Sequence, residues 1–127
     1  MLRDKQPLIL VVDPDVEILT SLYFILDGEG YLVATVHPTV DALKCVVEQK
    51  PELVIAGQEA FDWNGMDLVR KIREISPDTR ILLLVDPGDK LGSSKAKRSG
   101  ADQLVFKPYT RVKVLEGVGA LLPVVHR

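Results

Sequence analysis

Short runs of apolar residues, uninterrupted by polar ones, recur along the chain. Four are clear, at residues 8–12, 53–56, 81–85 and 104–106, and a weaker fifth lies at 31–36. Strands that are buried on both faces of a parallel sheet have this pattern, because neither face meets solvent. We therefore predict five strands at these positions.

Between the runs, apolar residues repeat at three- and four-residue steps, which is the spacing of an amphipathic helix. Glycines follow the first of these segments, and Pro51, Pro77 and Pro123 close later ones. Segment 89–99 is weaker because its glycine and serines favour a loop, but we expect a helix there as well. The apolar positions of the four clear helices are Ile18, Leu19, Leu22, Ile25, Leu26; Leu43, Val46, Val47; Leu68, Val69, Ile72, Ile75; Val114, Leu115, Val118, Leu121 and Leu122.

The predicted order is strand then helix, five times, which indicates an α/β fold with one doubly wound, five-stranded parallel sheet of the flavodoxin-like kind. We expect one domain over 1–127, with a core over about 8–122 and loose tails at 1–6 and 124–127. Such sheets bind ligands at the carboxyl ends of their strands. The residues that follow four of these ends are 13–15, 57–62, 85–89 and 107–109.

Composition limits the classes of function. Apolar residues make up 46% of the chain and charged residues 27%, with a net charge of -2, which is typical of a soluble globular protein and indicates neither nucleic-acid nor membrane binding. No apolar run is long enough to cross a bilayer, and we see no signal segment. The lone cysteine, Cys45, excludes an internal disulfide and suits a reducing cytoplasm, where we expect the protein to act.

Three segments together point to a known family. VVDPD follows the first predicted strand, GMDLVRKIREISPDTRILLLV precedes and includes the fourth, and GADQLVFKPYT surrounds the fifth. With this spacing, the chain resembles the receiver domain of bacterial response regulators over about residues 8–122. The resemblance implies a site with an aspartate that accepts a phosphoryl group from a histidine kinase at the end of the third strand. It also implies an acidic pair after the first strand that helps bind Mg²⁺, a Ser or Thr that ends the fourth strand, and a Lys–Pro pair after the fifth.

Position by position, the chain keeps part of this site. Lys107 and Pro108 match the lysine and its proline, whose peptide bond is usually cis in the family, and Asp13 matches the first acid. Asp15 and Glu59 lie near, but the resemblance assigns neither to a direct metal ligand. Asp13, Asp15 and Glu59 are therefore weak candidates for holding a metal ion.

Three other positions have lost the residues of the family. Pro14 replaces the second acid, Gly57 the phosphoryl acceptor and Val85 the hydroxyl residue. Glycine offers no nucleophile, valine cannot donate a hydrogen bond to a phosphoryl oxygen, and one firm carboxylate is a poor Mg²⁺ site. We therefore expect a degenerate receiver, a pseudo-receiver, with weak or absent Mg²⁺ binding and no other cofactor.

Asp13, Pro14 and Asp15 also have a simpler interpretation as the start of the first helix. Aspartate is a favoured N-cap, proline is favoured at the first helical position, and a further aspartate suits the first turn. We favour this interpretation over a surviving acidic site. For Lys107 we predict an ion pair with Asp13 that holds this edge of the sheet closed.

An aromatic loop and a basic cluster are the candidates for binding a protein partner. Phe61, which replaces a proline usual in the family, and Trp63 could anchor a partner or could fold over the degenerate site. Tyr109 lies near them at the same predicted edge. The fourth helix carries a basic cluster that is either a solvated face or a site for an acidic partner. The residues of this cluster are Lys90, Lys95, Lys97 and Arg98.

The resemblance also implies an interaction face, because receivers use the fourth helix, fifth strand and fifth helix for dimers and output partners. A homodimer through this face is one expected arrangement. His37 and His126 are isolated in the sequence, and we assign neither a catalytic nor a metal-binding role.

Three functions compete. The leading one is a receiver-like module of a two-component system that binds a histidine kinase, an output domain or another signalling protein without being phosphorylated. The alternative is a phosphoryl acceptor that uses a displaced acid, Asp62 or Asp13. A flavodoxin-like electron carrier is disfavoured, because the acidic VVDPD would repel a flavin phosphate. We see no hydrolytic triad, P-loop or zinc spacing, so we expect no enzyme activity.

Overall fold

The structure, a computed structural model, describes residues 6–36, 39–57 and 65–122. Strands and helices alternate through these residues as the sequence predicts, and no helix among them is long and apolar enough to cross a membrane. The elements are β1 (Leu8–Val12), α1 (Val16–Asp27), β2 (Leu32–Val36), α2 (Thr39–Gln49), β3 (Leu53–Gly57), α3 (Gly65–Ile75), β4 (Arg80–Val85), α4 (Lys90–Lys97), β5 (Gln103–Phe106) and α5 (Arg111–Gly119).

The strands form one parallel sheet in the order β2-β1-β3-β4-β5, which confirms the predicted doubly wound, flavodoxin-like fold. From β1 the chain passes to β2 on one side and then returns to β3 on the other side. The strand order therefore changes direction between β1 and β3. Sheets of this type bind ligands beside the carboxyl ends of such a pair of strands.

Alternate residues of the central strands pack into two separate cores. Leu10 and Val12 pack on one face with residues of α2, α3 and α4. Ile9 and Val11 pack on the opposite face with residues of α1 and α5. Because both faces are covered, β1 and β3 contain no polar residue, and β4 contains only Arg80 at its exposed start.

The edge strand β2 and the amino-terminal residue Gln6 lie at the periphery of the predicted core. β2 is an edge strand, and Leu32 on it is 51% exposed, which explains why its apolar pattern is the weakest. Gln6, at the end of the predicted amino-terminal tail, donates from Nε2 to the carbonyl oxygen of Gly30 at 2.7 Å. The remaining residues of both predicted tails lie outside the described ranges.

One guanidinium ties α3 to the amino-terminal edge of the sheet. Arg73 donates from Nη1 to the carbonyl oxygen of Thr79 at 2.9 Å. From Nη2 it donates to the carbonyl oxygen of Gly100 at 3.1 Å and to Oδ2 of Asp102 at 2.7 Å. The same oxygen of Asp102 accepts from the backbone N–H of Ile81 at 2.7 Å. Arg73 and Asp102 thus join α3, the start of β4 and the turn before β5.

Candidate functional site

The carboxyl ends of β1 and β3 meet in one small volume. Val12 lies opposite Ala56, so the next residues, Asp13 and Gly57, are neighbours. A Cβ atom built on Gly57 would lie 2.6 Å from Oδ2 of Asp13 and 3.7 Å from its Cγ. Non-bonded carbon and oxygen atoms do not pack this closely in protein interiors. The carboxylate of Asp13 therefore fills the space in which a side chain at position 57 would begin.

Asp13 is held in place by its burial and its hydrogen bonds. Only 4% of its surface is exposed. Its Oδ1 accepts from the backbone N–H of Asp15 at 2.8 Å, and its own backbone N–H donates to the carbonyl oxygen of Val36 at 3.3 Å. A buried carboxylate requires such bonds, because removing it from water is otherwise costly. One oxygen of Asp13 is thus fixed in the turn after β1, and the other lies over Gly57.

The N-cap of α1 is Asp15, so the predicted cap at Asp13 is wrong. The helix begins at Val16, and Oδ1 of Asp15 accepts from the backbone N–H of Glu17 at 2.9 Å. Pro14 lies in the preceding turn rather than at the first helical position, and it is exposed. The cap lies two residues later than predicted because the carboxylate of Asp13 points to Asp15 and Gly57 instead of to the first helical turn.

The other two positions of the implied site lie on neighbouring strands. Val85 ends β4 and is fully buried in the core. Lys107 follows β5, and its backbone N–H donates to the carbonyl oxygen of Val85 at 2.7 Å. The peptide bond between Lys107 and Pro108 is cis, as the resemblance implies. The structure therefore brings Asp13, Gly57, Val85 and Lys107 to the same edge of the sheet.

Tyr109 adds a phenol to this edge. Burial raises the pKa of its hydroxyl, Lys107 acts to lower that pKa, and Asp13 and Asp15 act to raise it. These opposing influences place the phenol within electrostatic reach of the amine and of both carboxylates. The predicted ion pair between Asp13 and Lys107 is compatible with this grouping and stays a prediction.

A cavity of about 460 Å³ opens beside these groups, and its lining includes an acid that the sequence analysis placed at this edge within residues 85–89 but did not single out. Asp86 follows Val85, and its Oδ1 accepts from the backbone N–H of Gly88 at 2.8 Å. The signal in the sequence that could have identified Asp86 is its position directly after the fourth apolar run. The lining residues are Ile18, Asp86, Lys107, Pro108 and Tyr109.

The described residues do not assemble a magnesium site. Mg²⁺ demands near-ideal octahedral geometry from oxygen ligands. Within the three described ranges, no group of three or more His, Cys, Asp or Glu residues could hold a metal ion. Asp13 already uses one oxygen to accept the N–H of Asp15, and Glu59 lies outside the described residues. This part of the chain does not fit the ion that the resemblance implies, so we derive no chemistry through it.

The basic cluster of α4 is divided between two faces of the molecule. Lys90 and Lys97 are exposed, and Nζ of Lys97 lies 5.8 Å from the centre of the Phe106 ring on β5. Lys95 and Arg98 instead line a separate cavity that α4 shares with α3. The four residues therefore do not form one patch, although their closeness in the sequence suggests one.

The face formed by α4, β5 and α5 exposes three large apolar residues that the sequence analysis missed. Leu91 is 65% exposed, Phe106 37% and Val112 63%. An apolar residue in a strand or amphipathic segment is normally assigned to the core, so the sequence carried no signal of their exposure. The aromatic loop with Phe61, Asp62 and Trp63 lies outside the described residues, as do both histidines.

Comparisons with known proteins agree with this architecture. The family model of the response regulator receiver domain matches residues 9–118. The DNA-binding response regulator MtrA of Mycolicibacterium paratuberculosis is 32% identical over 114 residues, which cover 90% of this chain and 50% of that protein. The transcriptional regulatory protein AfsQ1 of Streptomyces coelicolor is 32% identical over 102 residues, which cover 80% and 45%.

A solved structure gives the same result for the fold. The crystal structure of a response regulator receiver domain protein (CheY-like) from Methanospirillum hungatei JF-1 matches with a TM-score of 0.83 and 26% identity, over 91% of this chain and 93% of that chain. The present chain spans about half the length of the curated relatives it matches.

Proposed function

Because this chain belongs to the family of response regulator receiver domains of two-component systems, we propose that it is a pseudo-receiver, which signals through protein contacts without accepting a phosphoryl group. The observation that carries the proposal is the pair formed by Gly57 and Asp13. A glycine stands where the family has its acceptor carboxylate, and the carboxylate of Asp13 fills the space beside it.

The chemistry of phosphoryl transfer supports this proposal. An acceptor must present a nucleophilic oxygen in line with the donor, and Gly57 has none. Asp13 is a poor substitute, because it is buried and one of its oxygens already accepts the N–H of Asp15. Val85 has no hydroxyl to donate to a phosphoryl oxygen. The conformation of the domain is then set by its sequence or by a bound partner.

The face of α4, β5 and α5 supports docking to a protein. Leu91, Phe106 and Val112 expose apolar surface there, and Lys97 lies over the Phe106 ring. Exposed apolar side chains that are grouped on one face and rimmed by polar residues mark protein interaction sites. We propose that this face binds another signalling protein, such as a histidine kinase or an output domain, or a second copy of the receiver. The proposal includes no cofactor, no enzyme activity and no contact of this domain with nucleic acid.

A phosphoryl acceptor that uses a displaced acid is the second candidate function. The observation that favours it is the position of Asp13, whose carboxylate lies where the side chain of the missing acceptor would begin. Its burial argues against it, because the attacking oxygen would have to reach a donor that arrives from solvent. Asp62, the other displaced acid, lies outside the described residues.

Phosphorylation by a small-molecule donor separates the two candidates. The protein is incubated with Mg²⁺ and acetyl phosphate, and its intact mass is measured at intervals. We expect no gain of a phosphoryl group, and we expect no change in the NMR spectrum when beryllofluoride is added. An intact receiver that retains its acceptor aspartate, treated in parallel, shows that the reagents are active.

A phosphoryl adduct would contradict the pseudo-receiver proposal, and two variants then identify the acceptor. Loss of the adduct in Asp13→Asn assigns it to Asp13, and loss in Asp62→Asn assigns it to the aromatic loop. Sensitivity of the adduct to hydroxylamine distinguishes an acyl phosphate from a phosphate on a hydroxyl group.

A further inference from the structure

A second cavity lies between α3 and α4, with a volume of about 480 Å³, and we call it the α3–α4 pocket. Four cationic side chains line it, together with Ser99 and Gly100 in the turn before β5. These four are Arg70, Arg73, Lys95 and Arg98. Because it lies next to the turn that precedes β5, the pocket is at the amino-terminal edge of the sheet, away from Asp13 and Gly57.

The charge of this pocket contrasts with the charge of the whole chain. The lining residues carry four positive charges, and no carboxylate belongs to the described lining, whereas the chain has a net charge of -2. Asp102 offsets part of this charge through its ion pair with Arg73 at 2.7 Å. A concave site that concentrates one sign of charge attracts small ions of the opposite sign.

One guanidinium, that of Arg73, is held in a defined position, and a second, that of the exposed Arg98, makes a hydrogen bond on the surface. Arg73 donates to two backbone carbonyl groups and to Asp102, and its side chain is 30% exposed. Nη1 of Arg98 donates to Oγ of Ser94 at 2.9 Å. Groups that are already ordered lose less conformational entropy when a ligand binds. Three of the five N–H groups of Arg73 are already used within the protein, so Arg73 contributes its positive charge and two further N–H groups to the pocket.

We propose that the α3–α4 pocket binds a small ligand that carries a chain of phosphate groups. Guanidinium groups present planar, paired N–H donors that match phosphate oxygens, and lysine adds a point charge. The volume falls within the range of small-molecule sites, roughly 300–1,000 Å³. Four cations gathered around one cavity, rather than spread along a stripe, favour a compact polyanion over an extended acidic peptide. The inference is independent of the pseudo-receiver proposal, because the pocket shares no residue with the carboxyl edge.

Calorimetric titration with inorganic tripolyphosphate tests this inference. We expect saturable binding of one ligand per chain that weakens as salt is added, with amide shifts concentrated at residues 69–73 and 95–100. The double variant Lys95→Ala/Arg98→Ala loses two charge-assisted contacts, so we expect its affinity to fall on the order of tenfold or more. Arg73 is retained in this variant, because it also holds the fold together.

The matched control is the double variant Lys90→Ala/Lys97→Ala, which removes the same charge from the same helix but outside the pocket. We expect it to change the affinity by less than about twofold, the effect of a distant screened charge. Equal losses in both double variants, or no saturable binding at all, would overturn the inference. Displacement of tripolyphosphate by a poly-glutamate peptide that binds more tightly would also overturn it, in favour of a protein partner.

Discussion

Asp13 can hold its present position only because residue 57 has no side chain. Its buried carboxylate bonds to the N–H of Asp15 on one side and covers Gly57 on the other. The two residues therefore act as a unit, since a side chain at position 57 and this rotamer of Asp13 exclude each other. At the residue scale, the position of the Asp13 carboxylate therefore depends on the glycine at position 57.

Substitution of Gly57 by Ala measures this dependence. The new Cβ atom would lie 2.6 Å from Oδ2 of Asp13, so the buried carboxylate must shift, and this shift strains the hydrogen bond that its Oδ1 accepts from Asp15. We expect a loss of about 1–3 kcal/mol in the free energy of unfolding, measured by urea denaturation. In an Asp13→Ala background, Gly57→Ala should lower the free energy of unfolding by clearly less, because the new Cβ atom no longer meets a carboxylate.

Gly119→Ala is the matched control, because a Cβ atom built on Gly119 meets no atom within 4 Å. Gly119 ends α5, where alanine is favoured over glycine, so we expect no loss or a gain of a few tenths of a kcal/mol. A Gly57→Ala variant as stable as the wild type would mean that Asp13 does not occupy the space beside residue 57.

The phenol of Tyr109 predicts how stability depends on alkaline pH. Burial raises the pKa of Tyr109 above the ordinary 10.0, and burial and the charge of Glu29 raise the pKa of Tyr31 as well. A raised pKa in the folded state means that the unfolded chain loses its proton first. The stabilisation is therefore complete below the ordinary pKa and is lost as the pH rises through the raised one.

The urea midpoint, followed across this alkaline range, should fall less steeply in Tyr109→Phe than in the wild type, because one titrating group has been removed. The two proteins differ only in the phenol of Tyr109, so the difference between the two curves reports its contribution. Superimposable slopes would show that the phenol has the same pKa in the folded and unfolded states.

At the scale of elements, α3 and α4 each contact more of the neighbouring strands and helices than the sequence pattern suggests. α3 packs its apolar positions on the sheet and also sends Arg73 across to the starts of β4 and β5. α4 sends Lys95 and Arg98 towards α3, while Lys97 contacts Phe106 on β5. The two helices therefore form the α3–α4 pocket on one side, and α4 contributes to the docking face on the other.

Asp102→Ala tests the role of the contact between α3 and the sheet. The variant leaves Arg73 and the backbone N–H of Ile81 without the oxygen that both now share at 2.7 Å. Because these groups are partly buried, we expect the free energy of unfolding to fall by about 1–3 kcal/mol, measured by urea denaturation.

The exposed ion pair between Arg111 and Glu29 provides the comparison. Its atoms lie at a similar distance, 2.6 Å, but its side chains are 53% and 44% exposed, against 30% and 21% for Arg73 and Asp102. We expect Glu29→Ala to cost between 0 and about 1 kcal/mol, because solvent screens such pairs. An equal loss in the free energy of unfolding in both variants would mean that burial does not strengthen the Asp102 contact.

At the scale of the whole molecule, the sheet separates two edges with different chemistry. The carboxyl edge carries Asp13, Gly57 and Lys107, at the positions where the resemblance places the phosphorylation site. The amino-terminal edge carries the contact of Arg73 with Asp102 and the α3–α4 pocket. The chain also spans about half the length of MtrA and AfsQ1, so in those proteins the corresponding receiver is one part of a longer regulator.

The sequence by itself determined the order of the elements, the parallel sheet and the family. Apolar runs and helical spacing are local patterns, and burial on both faces imposes them directly on the chain. The resemblance likewise assigned Gly57, Val85 and Lys107 to one edge, and the structure places them there. The least regular strand pattern belongs to β2, an edge strand on which Leu32 is 51% exposed.

Only the tertiary structure decided where individual side chains lie. The sequence favoured Asp13 as the helix cap, whereas the folded chain uses Asp15 and turns Asp13 towards Gly57, a contact across 44 positions. Arg73 meets Asp102 from 29 residues away, and the cations of α4 divide between two faces. Such contacts depend on rotamers and on packing between distant segments, and a local pattern of apolar and polar residues contains no information about either.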